Sequence, residues 1–128
     1  MKALTTAGIT VRAEAFYLPE HSKPQENRYL FGYRIAIENG SKHTVQLISR
    51  RWLIRNALGM RREVEGLGVV GQQPILAPGY AFEYSSYCDL DTDIGAMVGI
   101  YFMKRIDDGA WFTVQIPQFM LVVPARLN

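Results

Sequence analysis

Apolar residues recur every second position along most of this chain. Ile9, Val11, Ala13, Ala15 and Tyr17 alternate with more polar neighbours, and Tyr29, Phe31, Tyr33, Ile35 and Ile37 do so against Arg28, Arg34 and Glu38. Phe82 and Tyr84 stand opposite Glu83 and Ser85 in parity, as Phe112, Val114 and Ile116 do to Thr113 and Gln115. Successive side chains of a strand point to opposite faces, so this period selects strands with one buried face. No window keeps the helical period for more than a turn or two.

The runs are separated by turn signals: Asn39-Gly40, Pro78-Gly79 and Asp107-Asp108-Gly109. Pro78-Gly79 suits the two central positions of a type II turn. Residues 19–27, PEHSKPQEN, are polar with two prolines and read as a surface loop. In residues 44–55 the apolar parity set by Val45 and Leu47 differs from that of Trp52 and Ile54, which calls for a β-bulge near residues 49–51. Seven or eight short antiparallel strands with regular turns predict an all-β sandwich of immunoglobulin or fibronectin type III kind. Trp52, in the third strand, is expected in its core. At 128 residues the chain reads as one domain, residues 1–128, with a core over about 9–123 and terminal tails at 1–8 and 124–128.

Composition narrows the functional classes. A hydrophobic content of 48% with 20% charged residues fits a globular chain. A net charge of +2 is too small for the clustered basic surface that nucleic acid requires. The lone Cys88 has no partner for an intramolecular disulfide, compatible with a reducing compartment. The opening MKALTTAGIT lacks the apolar stretch of a signal peptide, and no apolar run approaches the roughly 18 residues of a membrane helix. The expected setting is the cytoplasm, without a membrane or nucleic-acid partner.

Gly66, Gly68 and Gly71 form G-x-G-x-x-G, the spacing that cradles pyrophosphate in dinucleotide-binding folds. That chemistry needs a strand ending at the first glycine and a helix starting at the motif. Here QQPILAPGY follows, and Pro74 and Pro78 exclude a long helix. Asp89, Asp91 and Asp93 fall near the distance at which a ribose-binding acid is expected, which carries little without the βαβ setting. The simplest reading is architectural, since glycines in β proteins mark bulges and close backbone approach. A weaker reading is an anion-binding nest of backbone N–H groups.

Several blocks are more specific. SRRW (49–52), EVEGLGVVGQQPILAPG (63–79), FEYSS (82–86), GAMVGIYFM (95–103) and IPQFML (116–121) occur in this order. Together they closely resemble the ApaG family, over about residues 9–123. The resemblance implies a fibronectin type III-like sandwich and no established catalytic residues. Bacterial members are associated with cobalt tolerance and magnesium efflux, and with gene neighbourhoods of diadenosine tetraphosphate hydrolysis. Eukaryotic relatives are domains of F-box and polymerase-interacting proteins, which implies partner binding. The family's glycine block maps to Gly66, Gly68, Val69, Val70, Gly71, Gln73 and Pro74. This chain departs from the family at Arg51, where a histidine is usual, and at Asp89 and Asp93, where prolines are frequent. A metal role for that histidine is therefore not open here.

Other chemistry finds less support. Asp89, Asp91 and Asp93 have D-x-D-x-D spacing, but an EF-hand would need Gly and Glu where Ile94 and Ile100 stand. A solvated acidic loop is the plainer reading, with a weak hard-cation site as the alternative. Cobalt would add imidazole or thiolate; Cys88 is adjacent in sequence, whereas His21 and His43 lie in other loops. Cys88 is expected as a buried apolar residue rather than a nucleophile. Arg50, Arg51, Arg55, Arg61 and Arg62 form either an ordinary charged surface or a patch for phosphate or an acidic partner. Arg50 and Arg51 should point to opposite faces unless the bulge intervenes. If Gly95, Met97, Gly99, Tyr101 and Met103 face inward, then Val98, Ile100 and Phe102 make an outward apolar patch, expected to be covered by a second subunit or a partner.

The expectation is a non-enzymatic binding or adaptor module that needs no cofactor and has a protein partner, with a homodimer also open. Its site would comprise Gly66, Gly68, Gly71, Gln73, Arg61 and Arg62. One alternative is a sensor of pyrophosphate or dinucleoside polyphosphate at the glycine loop. Loss of binding on Gly68→Ala, without loss of folding, would separate that reading from a purely structural loop. The other is a divalent-cation module at Asp89, Asp91 and Asp93.

Overall fold

The computed structural model describes residues 1–127, with the side chains of residues 126 and 127 excepted. Nine strands make two antiparallel sheets. They are β1 (Lys2–Thr6), β2 (Ile9–Tyr17), β3 (Tyr29–Asn39), β4 (Val45–Asn56), β5 (Arg61–Leu67), β6 (Ile75–Leu76), β7 (Ala81–Leu90), β8 (Ile94–Arg105) and β9 (Trp111–Val122). One sheet runs β1-β2-β3-β7 and the other β5-β4-β8-β9, with β6 also on β4. Each alternating run of the sequence becomes a strand whose apolar parity faces the space between the sheets. There Ile9, Val11, Phe31, Ile35, Ile37, Leu47, Tyr101, Met103, Ile116 and Leu121 join one continuous core.

Nine strands are one or two more than the seven or eight expected, and two of them, β1 and β6, had no signal in the alternation. The residue 1–8 tail contains β1, in register with β2 from Lys2↔Ala13 to Thr6↔Ile9. Its residues are almost all exposed, so it has no buried face to impose an apolar period. The second is β6, only two residues long and visible only through its pairing with Val45 and Gln46. At the other end, Pro124–Leu127 make a 3-10 turn. Residues 19–27 carry two short 3-10 turns and no strand.

The bulge in β4 is real and falls slightly earlier than expected, with the register against β8 shifting between Leu47 and Ser49. Ile48 is the extra residue. The shift keeps Val45 and Leu47 and then Trp52 and Ile54 on the inner face, all buried. Tyr80 N donates to Ala77 O (3.0 Å), closing the turn at Pro78-Gly79. Asn39 is more than a turn residue. It is buried, donates from Nδ2 to His43 O (2.7 Å) and Leu76 O (2.9 Å), and accepts at Oδ1 from Ser41 N and Oγ. One amide thereby ties the end of β3 to β6 and to the approach to β4.

The sandwich has unlike sides. Along one side β9 packs against β1 and β2, and Gln115 N donates to Thr6 Oγ1 at 3.2 Å. Along the other, the edge strands β5 and β7 stand apart, and a cleft of about 510 Å³ opens into the inter-sheet space.

Candidate functional site

The glycine block forms one end of this cleft. After β5 the chain leaves the edge of β4, turns, and rejoins the same edge as β6. Val69 and Gln72 exchange both backbone hydrogen bonds, at 2.8 and 2.9 Å. Val70 and Gly71 between them both have positive φ (43° and 79°). Positive φ at both central residues makes this a two-residue type I′ hairpin turn. Gly68 N and Gln73 Nε2 both donate to Ile48 O, at 2.8 and 2.9 Å, and Leu47 N donates to Pro74 O. The loop is thus anchored on the bulge carbonyl, which the irregular β4 ladder leaves turned towards it.

Each glycine has its own reason. A Cβ on Gly66 would meet the Arg50 guanidinium at 2.7 Å, so its absence lets Arg50 lie across β5. A Cβ on Gly68 would collide with the Gln72 carbonyl oxygen, and φ there is +62°. Gly71 borders open space and is needed only for its φ. Gly68→Ala therefore strains the loop itself, so it does not separate a binding role from an architectural one. The N–H groups of Gly68, Val69 and Gln72 already serve internal acceptors, so a nest built on them would have to break the hairpin.

Arg50 and Arg51 do face opposite ways. Arg51 is on the outer face, paired with Glu63 and Glu65. Arg50 shares the inner face with Trp52, and its Nη1 donates to Leu67 O (3.1 Å) and Gly68 O (2.9 Å). Its contacts are neutral carbonyls; among the described residues no carboxylate pairs with it. Arg62, inward on β5, reaches across the cleft mouth to β7. It pairs with the Asp89 carboxylate at 3.2 Å, and Nη2 also donates to Asp89 O and Cys88 Sγ. Burial opposes its charge, but the hydrogen bonds to Asp89 and Cys88 prevail and raise its pKa above the ordinary guanidinium value. It is a strut between the sheets. Arg61 is exposed on the same strand, opposite Arg55, and lies outside the cleft lining.

From the opposite sheet, Tyr33, Tyr84, Ser86 and Cys88 line the cleft. The Tyr84 and Tyr101 hydroxyls hydrogen-bond at 2.5 Å. Burial pushes the Tyr33, Tyr84 and Tyr101 hydroxyls above their usual pKa, so all three are neutral hydrogen-bonding groups at neutral pH. Burial also raises the Cys88 thiol. Trp52 is 2% exposed, as expected of a core aromatic, and packs edge-on to Tyr33 and Phe119. Its Nε1 is buried with no hydrogen-bond partner. Leu67, Val70 and Tyr87 are exposed at the rim.

Other sequence candidates are not gathered in this way. Asp89 is held by Arg62, and Asp91 accepts from Asn56 Nδ2 at 2.9 Å. Asp93 lies in the turn after them, its carbonyl accepting from Val123 N. Among the described residues no three His, Cys, Asp or Glu side chains converge to hold a metal. His43 pairs with Asp107 (2.8 Å) at one end of the sandwich, and His21 is near Asn27 and Arg28. Val98, Ile100 and Phe102 do lie on the outer face of β8, between Leu53 and Arg51 of β4 and Thr113 and Gln115 of β9. Each is half-buried, so less apolar surface is left there than the sequence suggested.

Tyr33, Tyr84 and Ser86 were not among the expected site residues, and Arg50 entered only as one of five arginines of an undivided basic stretch. For Arg50 the signal was present: it shares the parity of Trp52 once the bulge is placed before it.

Comparison with known proteins agrees with this architecture. The sequence model of the ApaG domain matches residues 19–105. Protein ApaG of Brucella suis is 53% identical over 126 residues, covering 98% of this chain and 96% of that protein. Protein ApaG of Brucella anthropi is 52% identical over the same length. The crystal structure of an ApaA protein from Bordetella pertussis superposes with a TM-score of 0.87 at 46% identity, covering 91% of this chain and 94% of that one. A second X-ray structure, of a structural-genomics target, gives 0.86 at 38% identity, covering 91% and 88%. By sequence over nearly its whole length and by its two-sheet fold, the chain belongs to the ApaG family.

Proposed function

We propose that this chain is a non-enzymatic binding module that receives a protein partner on the side between β5 and β7. The asymmetry of the sandwich carries this reading. One lateral side is sealed by β9 against β1 and β2, while the other presents a cleft between two free strand edges. Free edges offer unpaired backbone groups and are the parts of a sheet that protein chains most readily recognise. Exposed Leu67, Val70 and Tyr87 add apolar and aromatic contact area at the rim. The glycine block supports the site by building its end wall rather than by gripping a ligand itself. On this reading a link to cobalt tolerance or magnesium efflux runs through the partner.

The test is site-specific photo-crosslinking in producing cells, with the photoreactive residue at Leu67 or at Leu4 on β1. Leu67 should give a discrete adduct of defined mass and Leu4 none. Adducts from Leu4 alone, or none from either site, would contradict the reading.

A further inference from the structure

The cleft has a chemical signature that narrows its occupant. Among the described residues, Arg50 has only neutral partners, both through Nη1, leaving the hydrogens on Nε and Nη2 uncommitted. Arg62 is already neutralised by Asp89. The cleft therefore carries about one net positive charge, and that charge is on Arg50. Arg50 is half-buried, so an occupant that covers the cleft desolvates its charge, which is costly unless that occupant brings an anion.

A second, independent group points the same way. The Cε3 edge of Trp52 faces Gly99 on β8, where a glycine Cβ would come within 3.0 Å of it. Trp52 itself lines the cleft, together with Arg50 and, from β5, Val64. The Trp52 indole N–H is buried and unpartnered, and a buried donor without an acceptor costs about 1–3 kcal/mol. Arg50 and Trp52 are two residues apart on the same face of β4, with Cα atoms about 7 Å apart, and both line the cleft, so its two unspent donors belong to one wall. The apolar rim and the two flanking strand edges suit an extended chain on either side of that group.

We propose that the cleft takes an extended acidic segment of a partner protein, with one Asp or Glu carboxylate seated between the Arg50 guanidinium and the Trp52 indole N–H. This rests on the binding reading above and names the chemistry of the partner. A carboxylate matches the single uncompensated charge. A phosphate group carries up to two charges and calls for several donors, and the N–H groups of Gly68, Val69 and Gln72 are already spent.

The experiment is an NMR titration of the full ¹⁵N-labelled chain, read at the two indole N–H signals. Trp111, exposed on β9, is the internal control. The probes are acetyl-Leu-Glu-Leu-amide, acetyl-Leu-Gln-Leu-amide and inorganic pyrophosphate, each to about 10 mM, where a Kd near 1 mM is still visible. The glutamyl peptide should shift the Trp52 signal saturably and leave Trp111 in place, with the glutaminyl peptide at least tenfold weaker. Arg50→Gln should weaken the glutamyl peptide at least tenfold. If that variant fails to fold, the two peptides on the wild-type chain decide alone. No shift at Trp52, or equal responses to the two peptides, overturns the proposal. Tighter binding of pyrophosphate than of the glutamyl peptide assigns the cleft to phosphate and also overturns it. Silent peptides beside a positive Leu67 cross-link would leave the binding face standing and remove only its acidic occupant.

Discussion

Single residues in the cleft show how closely packing and polarity are balanced. The Tyr84 and Tyr101 hydroxyls satisfy each other inside an apolar layer. Tyr84→Phe leaves the Tyr101 hydroxyl buried without this partner, and the expected loss is about 1–3 kcal/mol in urea unfolding. Removing the second hydroxyl as well removes the orphan, so the double variant should be less destabilised than the sum of the two single changes. Strict additivity would show that the two hydroxyls are not coupled. Cys88 tests the same environment by titration. Its raised thiol pKa means that the unfolded chain gives up its proton first. Cys88 should therefore leave stability unchanged below the unfolded thiol value of about 8.5 and reduce it as pH rises past that value. Iodoacetamide at pH 8 should alkylate it far more slowly in the folded chain than in urea. Equal rates would contradict the burial.

At the scale of elements, the glycine block and the β4 bulge form one device. The bulge turns the Ile48 carbonyl towards the loop, and Gly68 N and Gln73 Nε2 hold it there. The three glycines should then differ in their sensitivity. Gly71→Ala places an alanine at positive φ in open space and should cost about 1–2 kcal/mol. Gly68→Ala adds a collision with the Gln72 carbonyl and should cost clearly more, as read from denaturation midpoints. Equal costs would mean that the close approach at Gly68 is not constraining. Much of this was legible beforehand: the parity change at 45–54 announced a bulge, and Pro74 and Pro78 excluded the helix that a dinucleotide motif needs. The pairing of loop to bulge was not legible, because it joins an extra backbone carbonyl to residues about 20 positions away. Nor was β1, whose exposed KALTT carries no apolar period. It is specified by its neighbour β2 and not by its own residues.

At the scale of the whole molecule, alternation was enough to give the layered sandwich and the buried position of Trp52. It was not enough to show which lateral side stays open, because that depends on how far β5 and β7 stand apart across the sheets. The candidate site was legible only in part. Arg62 and the glycines belong to it, but Arg62 acts as a strut and the glycines as frame, while Arg50 supplies the free charge. The central claim is that the glycine block is hydrogen-bonded architecture at the end of an open cleft. Amide hydrogen exchange, recorded with and without diadenosine tetraphosphate, tests it most directly. The account predicts that Gly68, Val69 and Gln72 exchange slowly, as ladder amides do, and that their signals stay in place when the nucleotide is added. Fast exchange at these three amides, with saturable shifts on adding the nucleotide, would contradict it and return the loop to phosphate binding.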